Sequence, residues 1–359
     1  MMGVTRYLRS AAAGLALTTF VTCGALAGEP SPALKALAAA ADKEGSLSVM
    51  WGAGTLGGLD GLKRFEDQIN RAYGTHLKFT FTPGPSMPAM GSQIATMIAA
   101  GQPSPSDVYI AYVRTMGTLV KRHMFLKADW AAFDMPRDAI EEDGTMVKLV
   151  TALPGILYNT QKAPYKPESL TDFLKPEWKG KIASTPYVAN FDMLASDIGW
   201  GPDRAIDFAN KVSPNLAGLL RCDEPDRLAS GEFIAYFITC TGNDGDDLIK
   251  KGAPLAQIVA RDFPVIGYFY LSVPNNAPHP NAARLFVADA LTQDGQKLVY
   301  DTWGSDLDLL PGSRTRERVL KVEKDYGVKM ARFTVADAVN NKVGNEAWSK
   351  IGKIFAQRK

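Results

Sequence analysis

Residues 47–74 read LSVMWGAGTLGGLDGLKRFEDQINRAYG, and this stretch decides the fold class. The apolar run 47–51 predicts a short buried strand. A glycine-rich turn follows, and apolar residues near helical spacing then predict an amphipathic helix that ends at Gly74. A strand, a tight turn and a helix in this order open a β-α-β unit.

The alternation continues through two more strands. Residues 76–82 alternate apolar and polar positions and predict a second strand. A helix with Met90 and Ile94 on its apolar side follows, and residues 107–111 predict a third strand. This β-α-β-α-β order predicts a mostly parallel sheet with right-handed crossovers and helices on both faces.

A second α/β lobe is predicted after residue 153. Its strands are expected at 181–184, 216–221, 233–240 and 255–260. The roughly 330 residues beyond the first 27 exceed what one core usually holds, so two domains are expected. We assign residues 28–152 and 272–312 to the first lobe, 153–271 to the second, and 313–359 to a helical C-terminal segment.

The N-terminus has the pattern of an export signal. Arg6 and Arg9 precede an apolar run over 11–21, and Ala25-Leu26-Ala27 offers a small-x-small cleavage site. We predict a signal peptide over residues 1–27 that is removed after Ala27, which places the mature protein in the periplasm. A lipoprotein with Cys23 as lipid acceptor is the alternative, but Phe20-Val21-Thr22 fits poorly ahead of that cysteine.

The remaining charge and cysteines narrow the function classes. The chain has 40 basic and 38 acidic residues, and removal of Arg6 and Arg9 leaves 38 of each. Such a balance argues against nucleic acid as a partner. Cys222 and Cys240 remain after cleavage, and an oxidising compartment allows a disulfide between them. Two buried thiols are the other interpretation, because sequence gives no Cα separation.

A glycine motif at 52–57 matches G-x-G-x-x-G after a strand and before a helix. A dinucleotide site would also need an acidic residue at the end of the second strand, where the sequence has Phe81-Thr82-Pro83-Gly84. The glycines therefore favour backbone N–H groups that bind an anionic or oxygen-rich ligand. The sequence has three histidines, none in a metal-binding spacing, and no G-x-S-x-G. We expect no cofactor, no metal and no catalysis.

The carboxyl ends of strands in such sheets form ligand crevices. Hydroxyl, amide and aromatic side chains near the predicted strand ends are therefore candidate solute contacts, although each tyrosine has an alternative role in the core. The candidates are Gly54, Thr55, Ser86, Tyr112, Tyr158, Thr185, Tyr187, Asn190, Thr239, Tyr268 and Tyr270. Arg221 either binds a carboxylate or phosphonate in a fork or forms a surface ion pair with Asp223 or Glu224.

Several segments resemble the extracellular solute-binding family that includes the ferric-iron and polyamine binding proteins of ABC importers. They are Tyr158-Asn159-Thr160, Ser169-Leu170-Thr171-Asp172-Phe173, Pro176-Glu177-Trp178-Lys179-Gly180-Lys181-Ile182, Ser230-Gly231-Glu232, and Ala277-Pro278-His279-Pro280-Asn281-Ala282-Ala283-Arg284-Leu285-Phe286 with Gly295-Gln296. The resemblance implies a type II-like periplasmic binding protein fold, with two lobes joined by crossover strands near 150–156 and 264–274. It also implies hinge closure on a solute and delivery to a permease in the inner membrane. We expect the protein to be a monomer. It adds Ser184 as an anion contact beside Thr185.

The sequence departs from both named branches. Where the ferric pattern has a pair of tyrosines, this chain has Thr241 and Gly242, so we expect no iron binding. The polyamine branch needs carboxylates, and Asp192 and Asp223 are the candidates within reach. We therefore expect a small anionic or polar organic solute. A ferric or polyamine binder, a periplasmic enzyme on this scaffold and a sensory receptor remain as alternatives.

Overall fold

The computed structural model describes residues 29–141 and 143–357. The predicted signal peptide and its cleavage site lie outside these ranges. Within them, no helix combines the length and apolar character that crossing a bilayer requires. The strands in chain order are β1 (Ser46–Trp51), β2 (Lys78–Pro83), β3 (Tyr109–Tyr112), β4 (Met146–Ala152), β5 (Ile156–Asn159), β6 (Ile182–Ser184), β7 (Leu216–Leu219), β8 (Ala235–Phe237), β9 (Leu255–Ile258), β10 (Val265–Ser272) and β11 (Ala331–Arg332).

Helices surround the sheets of both lobes and make up most of the C-terminal segment, as the sequence predicts. In chain order they are α1 (Pro32–Glu44), α2 (Gly58–Tyr73), α3 (Met87–Ala99), α4 (Val113–Val120), α5 (Phe191–Leu194), α6 (Pro202–Val212), α7 (Asp226–Ala229), α8 (Asp246–Lys250), α9 (Pro280–Ala290), α10 (Gln293–Trp303), α11 (Arg314–Tyr326), α12 (Val335–Asn340) and α13 (Lys342–Ala356). Helix α2 ends at Gly74, which adopts the left-handed conformation that a glycine tolerates best.

The first lobe contains two sheets. Strands β1 and β2 pair in parallel. In the second sheet β10 lies between β3 and β4, antiparallel to both, and its start pairs in parallel with β11. The sheet containing β10 is therefore mixed rather than parallel throughout. Asp107 joins the two sheets, since its carboxylate accepts the backbone N–H of Ser48 at 2.6 Å.

The second lobe is one five-stranded sheet in the order β7-β6-β8-β5-β9. Strands β7, β6 and β8 are parallel, so their carboxyl ends share one edge of the sheet. Strand β5 is antiparallel to both β8 and β9. Its amino end therefore lies at that shared edge, and its carboxyl end lies at the opposite edge.

The boundary expected between the lobes needs one correction. From the sequence, the second lobe is expected to extend to residue 271, whereas Val265–Ser272 forms the central strand of a first-lobe sheet. All eight residues of this strand are buried, so its apolar pattern does not show which sheet it joins. The chain therefore returns to the first lobe before β10 begins. The crossover expected at 264–274 is wrong in that most of this range is β10 itself, a strand of the first lobe.

The C-terminal segment packs against both lobes. Helix α12 packs on α4 of the first lobe, and α13 packs on α5 and α6 of the second. Apolar residues of both lobes belong to one continuous cluster, and a smaller cluster that includes Leu157, Phe233 and Tyr236 lies in the second lobe. The lobes are thus in contact in this conformation.

Candidate ligand-binding site

Three strand-end loops of the second lobe meet at one edge of its sheet. The loop after β6 (residues 185–190) contains Asn190, whose side-chain amide donates to the carbonyl of Thr239 at 2.7 Å and to that of Cys240 at 3.2 Å. The Thr239 hydroxyl accepts the backbone N–H of Gly155 at 2.9 Å. The structure thereby brings together the predicted residues Asn190 and Thr239 and joins them to the amino end of β5.

A disulfide ties two of these loops together. Cys222 and Cys240 are bonded with a Cα–Cα separation of 5.9 Å, which resolves the alternative that sequence left open. The Tyr187 hydroxyl lies 2.6 Å from Cys222 Sγ and accepts the backbone N–H of Cys222 at 3.0 Å. Within the described residues, these two sulfurs and Asp244 form a group of three potential metal ligands, but disulfide sulfurs are not thiolates. The loops after β6, β7 and β8 therefore form one linked surface.

This linked surface has an unusual backbone. In the described part of the chain, six residues other than glycine have a positive φ, and three of them are Val188, Asn190 and Ile238, at 44°, 61° and 54°. Asparagine tolerates this conformation, but β-branched residues rarely adopt it. Such residues cost about 1–3 kcal/mol each and cluster at binding and catalytic sites. A fourth, Leu56, lies within the glycine-rich segment 52–57 of the first lobe.

Ser184 and Thr185 end β6 and begin its loop. Both are buried. The Thr185 hydroxyl accepts the backbone N–H of Ala189 at 2.7 Å, so it stabilises the loop from within. The carbonyl of Ser184 accepts the N–H of Leu220 at 2.8 Å and aligns the loop after β7. Both residues occupy the predicted edge, where they shape its loops.

The first lobe presents its own strand ends. Gly54 and Thr55 follow β1, and Ser86 follows β2 just ahead of α3. Gly54 and Ser86 are exposed, and Thr55 is buried. Ser86 occupies the N-cap position of α3, but its side chain makes no capping hydrogen bond there. Its hydroxyl can therefore serve another partner.

Tyr112 ends β3 and connects the two lobes. Its hydroxyl lies 2.5 Å from Met193 Sδ of the second lobe, and its ring packs 5.0 Å from that of Phe269. Phe269 in turn packs 4.8 Å from Trp303. Beside these rings is a cavity of about 10 Å³ that also touches Thr241 of the second lobe. This volume suits at most one water molecule, so a solute can enter at this contact only if the lobes separate.

Arg221 lies on the surface at the end of β7. Its Nε donates to Asp223 at 3.1 Å, and the two side chains are 65% and 71% exposed. This is the surface pair that the sequence allowed as an alternative. Exposed pairs contribute about 0–1 kcal/mol, so a bound anion can compete with Asp223 for the guanidinium.

Three predicted contacts lie elsewhere. Tyr158 is buried near the carboxyl end of β5, which the antiparallel pairing places at the edge opposite the loops. Tyr268 and Tyr270 are buried in β10 on the face opposite that of Phe269, and the Tyr268 hydroxyl accepts from Arg332. Tyr158 is at the wrong end of its strand, and Tyr268 and Tyr270 are on the wrong face of theirs. We therefore omit these three tyrosines from the candidate site.

Three residues at the lobe contact are not among those predicted from the sequence. Phe269 and Trp303 line its cavity, and Arg114 follows Tyr112 on α4. Alternation along β10 separates Phe269 from Tyr268 and Tyr270, but it does not show which face meets the other lobe. No local signal marks Arg114, because the groups that it contacts, such as Asn345 in α13, are distant in the sequence.

Asp192 is a buried carboxyl group at this contact. It is 2% exposed, and its Oδ2 has no hydrogen-bond partner among the described residues. Burial raises its pKa to about 6 from the ordinary 3.8, and the charge of Arg114 only partly opposes this rise. Burial correspondingly lowers the pKa of Arg114. The folded protein thus retains the Asp192 proton more strongly than the unfolded chain does.

The raised pKa of Asp192 predicts a stability change with pH. A carboxyl group whose pKa is higher in the folded state makes the free energy of unfolding fall as pH rises, beginning near its unfolded pKa and finishing above its folded pKa. Between roughly pH 5 and pH 7.5, wild type should lose about 1 kcal/mol more than Asp192→Asn. Burial also raises the pKa of Asp289, to about 7, but Asp289 titrates in both proteins. Its contribution therefore cancels in the difference between them. Urea unfolding of both proteins across this range measures the difference, and parallel curves would contradict it.

Several solved structures are similar to this chain in fold, whereas the curated protein sequences give no match. Iron-bound HitA from Pseudomonas aeruginosa superposes with a TM-score of 0.65 at 18% identity, covering 86% of this chain and 99% of that one. AfuA from Actinobacillus pleuropneumoniae with fructose-6-phosphate gives 0.61 at 16% identity, covering 87% and 97%. The spermidine/putrescine transporter protein PotD from Streptococcus pneumoniae gives 0.60 at 12% identity, covering 88% and 99%.

These likenesses confirm the two-lobed periplasmic binding protein fold, and they include the ferric and polyamine relatives that the sequence resembles. At these identities they show the fold alone. The sequence model of the bacterial extracellular solute-binding protein matches residues 62–312, well over half of the chain. The chain belongs to the bacterial extracellular solute-binding protein family.

Proposed function

We propose that this protein captures a small anionic or polar organic solute between its lobes in the periplasm and delivers it, unchanged, to the permease of an ABC importer. The main support is the linked surface of the second lobe. There, strained backbone, polar side chains and a disulfide converge on the edge where this fold places its solutes. A solute that touches both lobes favours the closed conformation through differential affinity.

The charges around the site favour an anion over a polyamine. Asp192 is buried beside Arg114, so of the two candidate carboxylates only the exposed Asp223 could meet an ammonium group, and a polyamine carries at least two such groups. Arg221 and the exposed Gly54 turn supply hydrogen-bond donors instead. Among the similar structures, AfuA holds fructose-6-phosphate, which shows that this fold accommodates a phosphorylated organic solute.

The test is a thermal-shift panel. It would contain sugar phosphates, phosphonates, dicarboxylates, spermidine and ferric citrate, with mass spectrometry of the recovered compound. A binder raises the melting temperature as its concentration passes Kd. We expect a shift with an anionic organic compound that is recovered intact. A shift with spermidine or ferric citrate alone would favour the alternative solutes, and chemical conversion would favour an enzyme.

Replacing Arg221 tests its role directly. Arg221→Ala should weaken binding of the anionic compound about tenfold or more, because a hydrogen bond to a charged group contributes about 1.5–3 kcal/mol. Arg64→Ala is the matched control, since Arg64 forms a similarly exposed pair with Asp301 in the first lobe. Isothermal titration would measure both variants. Equal affinities for the two would remove Arg221 from the site, and melting temperatures should stay close to wild type in both.

A further inference from the structure

The C-terminal helix α13 holds the loop after β6 in place. The indole N–H of Trp348 donates to the carbonyl of Val188 at 3.0 Å. Asn341, just before α13, donates its side-chain amide to the carbonyl of Asp192 at 3.2 Å. The two carbonyls flank Asn190, which bonds to the loop after β8. Because Val188 adopts a conformation that β-branched residues avoid, its neighbours must stabilise it.

The same indole ring also contacts the first lobe. The guanidinium carbon of Arg114 lies 3.6 Å from the centroid of the Trp348 ring, and Arg114 Nε donates to Asn345 at 3.3 Å. Arg114 is half-buried, and a cation over an indole is more strongly attracted when it is partly desolvated. Tyr112, two residues earlier, meets Met193 across the lobe contact. Trp348 therefore touches the first lobe with its face and the second lobe with its N–H.

We propose that Trp348 is a positioning residue for solute capture: it holds the loop after β6 in its binding conformation and couples that loop to the first lobe through Arg114. The role in solute capture rests on the proposed function, because the loop after β6 is part of the candidate site. The coupling itself is a property of the protein without solute. Separation of the lobes would remove Arg114 from the ring and loosen the loop, and closure would restore both contacts.

The chain provides a matched control for Trp348. In Trp200 the indole N–H donates to the carbonyl of Asp262, and the Arg204 guanidinium carbon lies 4.0 Å from the ring centroid. This tryptophan lies in the second lobe near α6, and neither contact involves the first lobe or the loop after β6. Trp200→Phe therefore removes the same kind of hydrogen bond at another place in the same lobe.

Hydrogen exchange of the protein without added solute tests the proposal. Trp348→Phe should speed exchange in a peptide spanning 185–194 about fivefold, the effect of losing one neutral hydrogen bond of about 1 kcal/mol. Trp200→Phe should leave that peptide unchanged. Peptides from β10 report whether each variant keeps its global stability. Equal exchange of the 185–194 peptide in Trp348→Phe and in wild type, with β10 protected, would overturn the positioning role.

Coupling between the lobes has its own test. Arg114→Lys keeps the positive charge beside Asp192 but loses the planar stack on Trp348. It should speed exchange in the same second-lobe peptide, whereas Arg204→Lys should not. In a Trp348→Phe background the Arg114→Lys effect should shrink, because residues in contact act non-additively. An unchanged peptide in Arg114→Lys would refute the coupling. These measurements use no solute, so they can be interpreted even if every compound of the thermal-shift panel fails to bind.

Discussion

Replacing Cys222 and Cys240 together with serine should lower the free energy of unfolding by about 3 kcal/mol. The disulfide closes a segment with a sequence separation of 18, and the loss of chain entropy in the unfolded state gives that magnitude for such a loop. The bond also joins the loops after β7 and β8, and the Tyr187 hydroxyl rests on Cys222. The double variant should therefore lose affinity for the anionic solute as well as stability.

Reduction provides the control for this change. A reductant should lower the unfolding midpoint of wild type to near that of the double variant and leave the double variant unaffected. Urea unfolding followed by tryptophan fluorescence measures both, and a thiol count confirms that the bond has opened. If reduced and oxidised wild type unfold at the same urea concentration, the disulfide does not stabilise the fold. If affinity survives when stability falls, the linked surface does not depend on the bond.

Local periodicity predicted the elements of the fold, because strands and helices leave their spacing in the sequence. Helix α2 ends at Gly74 as predicted, and β1 and β2 differ from their predicted bounds by one or two residues. The pattern does not specify which way β5 runs, which sheet receives β10 or which face of β10 meets the second lobe. Those features depend on pairing between distant segments, and they account for the misplaced Tyr158, Tyr268 and Tyr270.

The candidate site was predictable only where strand ends or family resemblance marked it. Thr185, Tyr187, Asn190 and Thr239 lie at one edge because parallel strands bring their carboxyl ends together. The contact between Trp348 and Val188 joins residues 160 positions apart, and no local pattern records such a pairing. The same holds for the pairing of Cys222 with Cys240, which depends on a Cα separation that only the folded chain defines.

Asp107→Ala should destabilise the protein by about 4 kcal/mol or more, the largest effect we expect from a single replacement. Asp107 is fully buried. Its carboxylate accepts the backbone N–H of Ser48 at 2.6 Å and that of His279 at 2.8 Å, and its Oδ2 lies 2.9 Å from His279 Nδ1. Alanine would leave these partly buried groups without the carboxylate, at about 1–3 kcal/mol each.

Measuring both stability and solute binding in Asp107→Ala shows whether the Asp107 carboxylate is structural or contacts the solute. Asp107 joins β1, the chain ahead of β3 and the start of α9, so its loss should reduce stability while the protein that remains folded still binds the anionic compound. Asp207→Ala is the control: Asp207 forms an exposed pair with Lys211, and its loss should change stability by no more than about 0.5 kcal/mol. Urea unfolding measures the stability of both variants, and isothermal titration measures their affinity for the anionic compound. A stability loss below about 1 kcal/mol in Asp107→Ala would contradict the expected effect. It would mean that water replaces the carboxylate at these partly buried donors and offsets their desolvation cost.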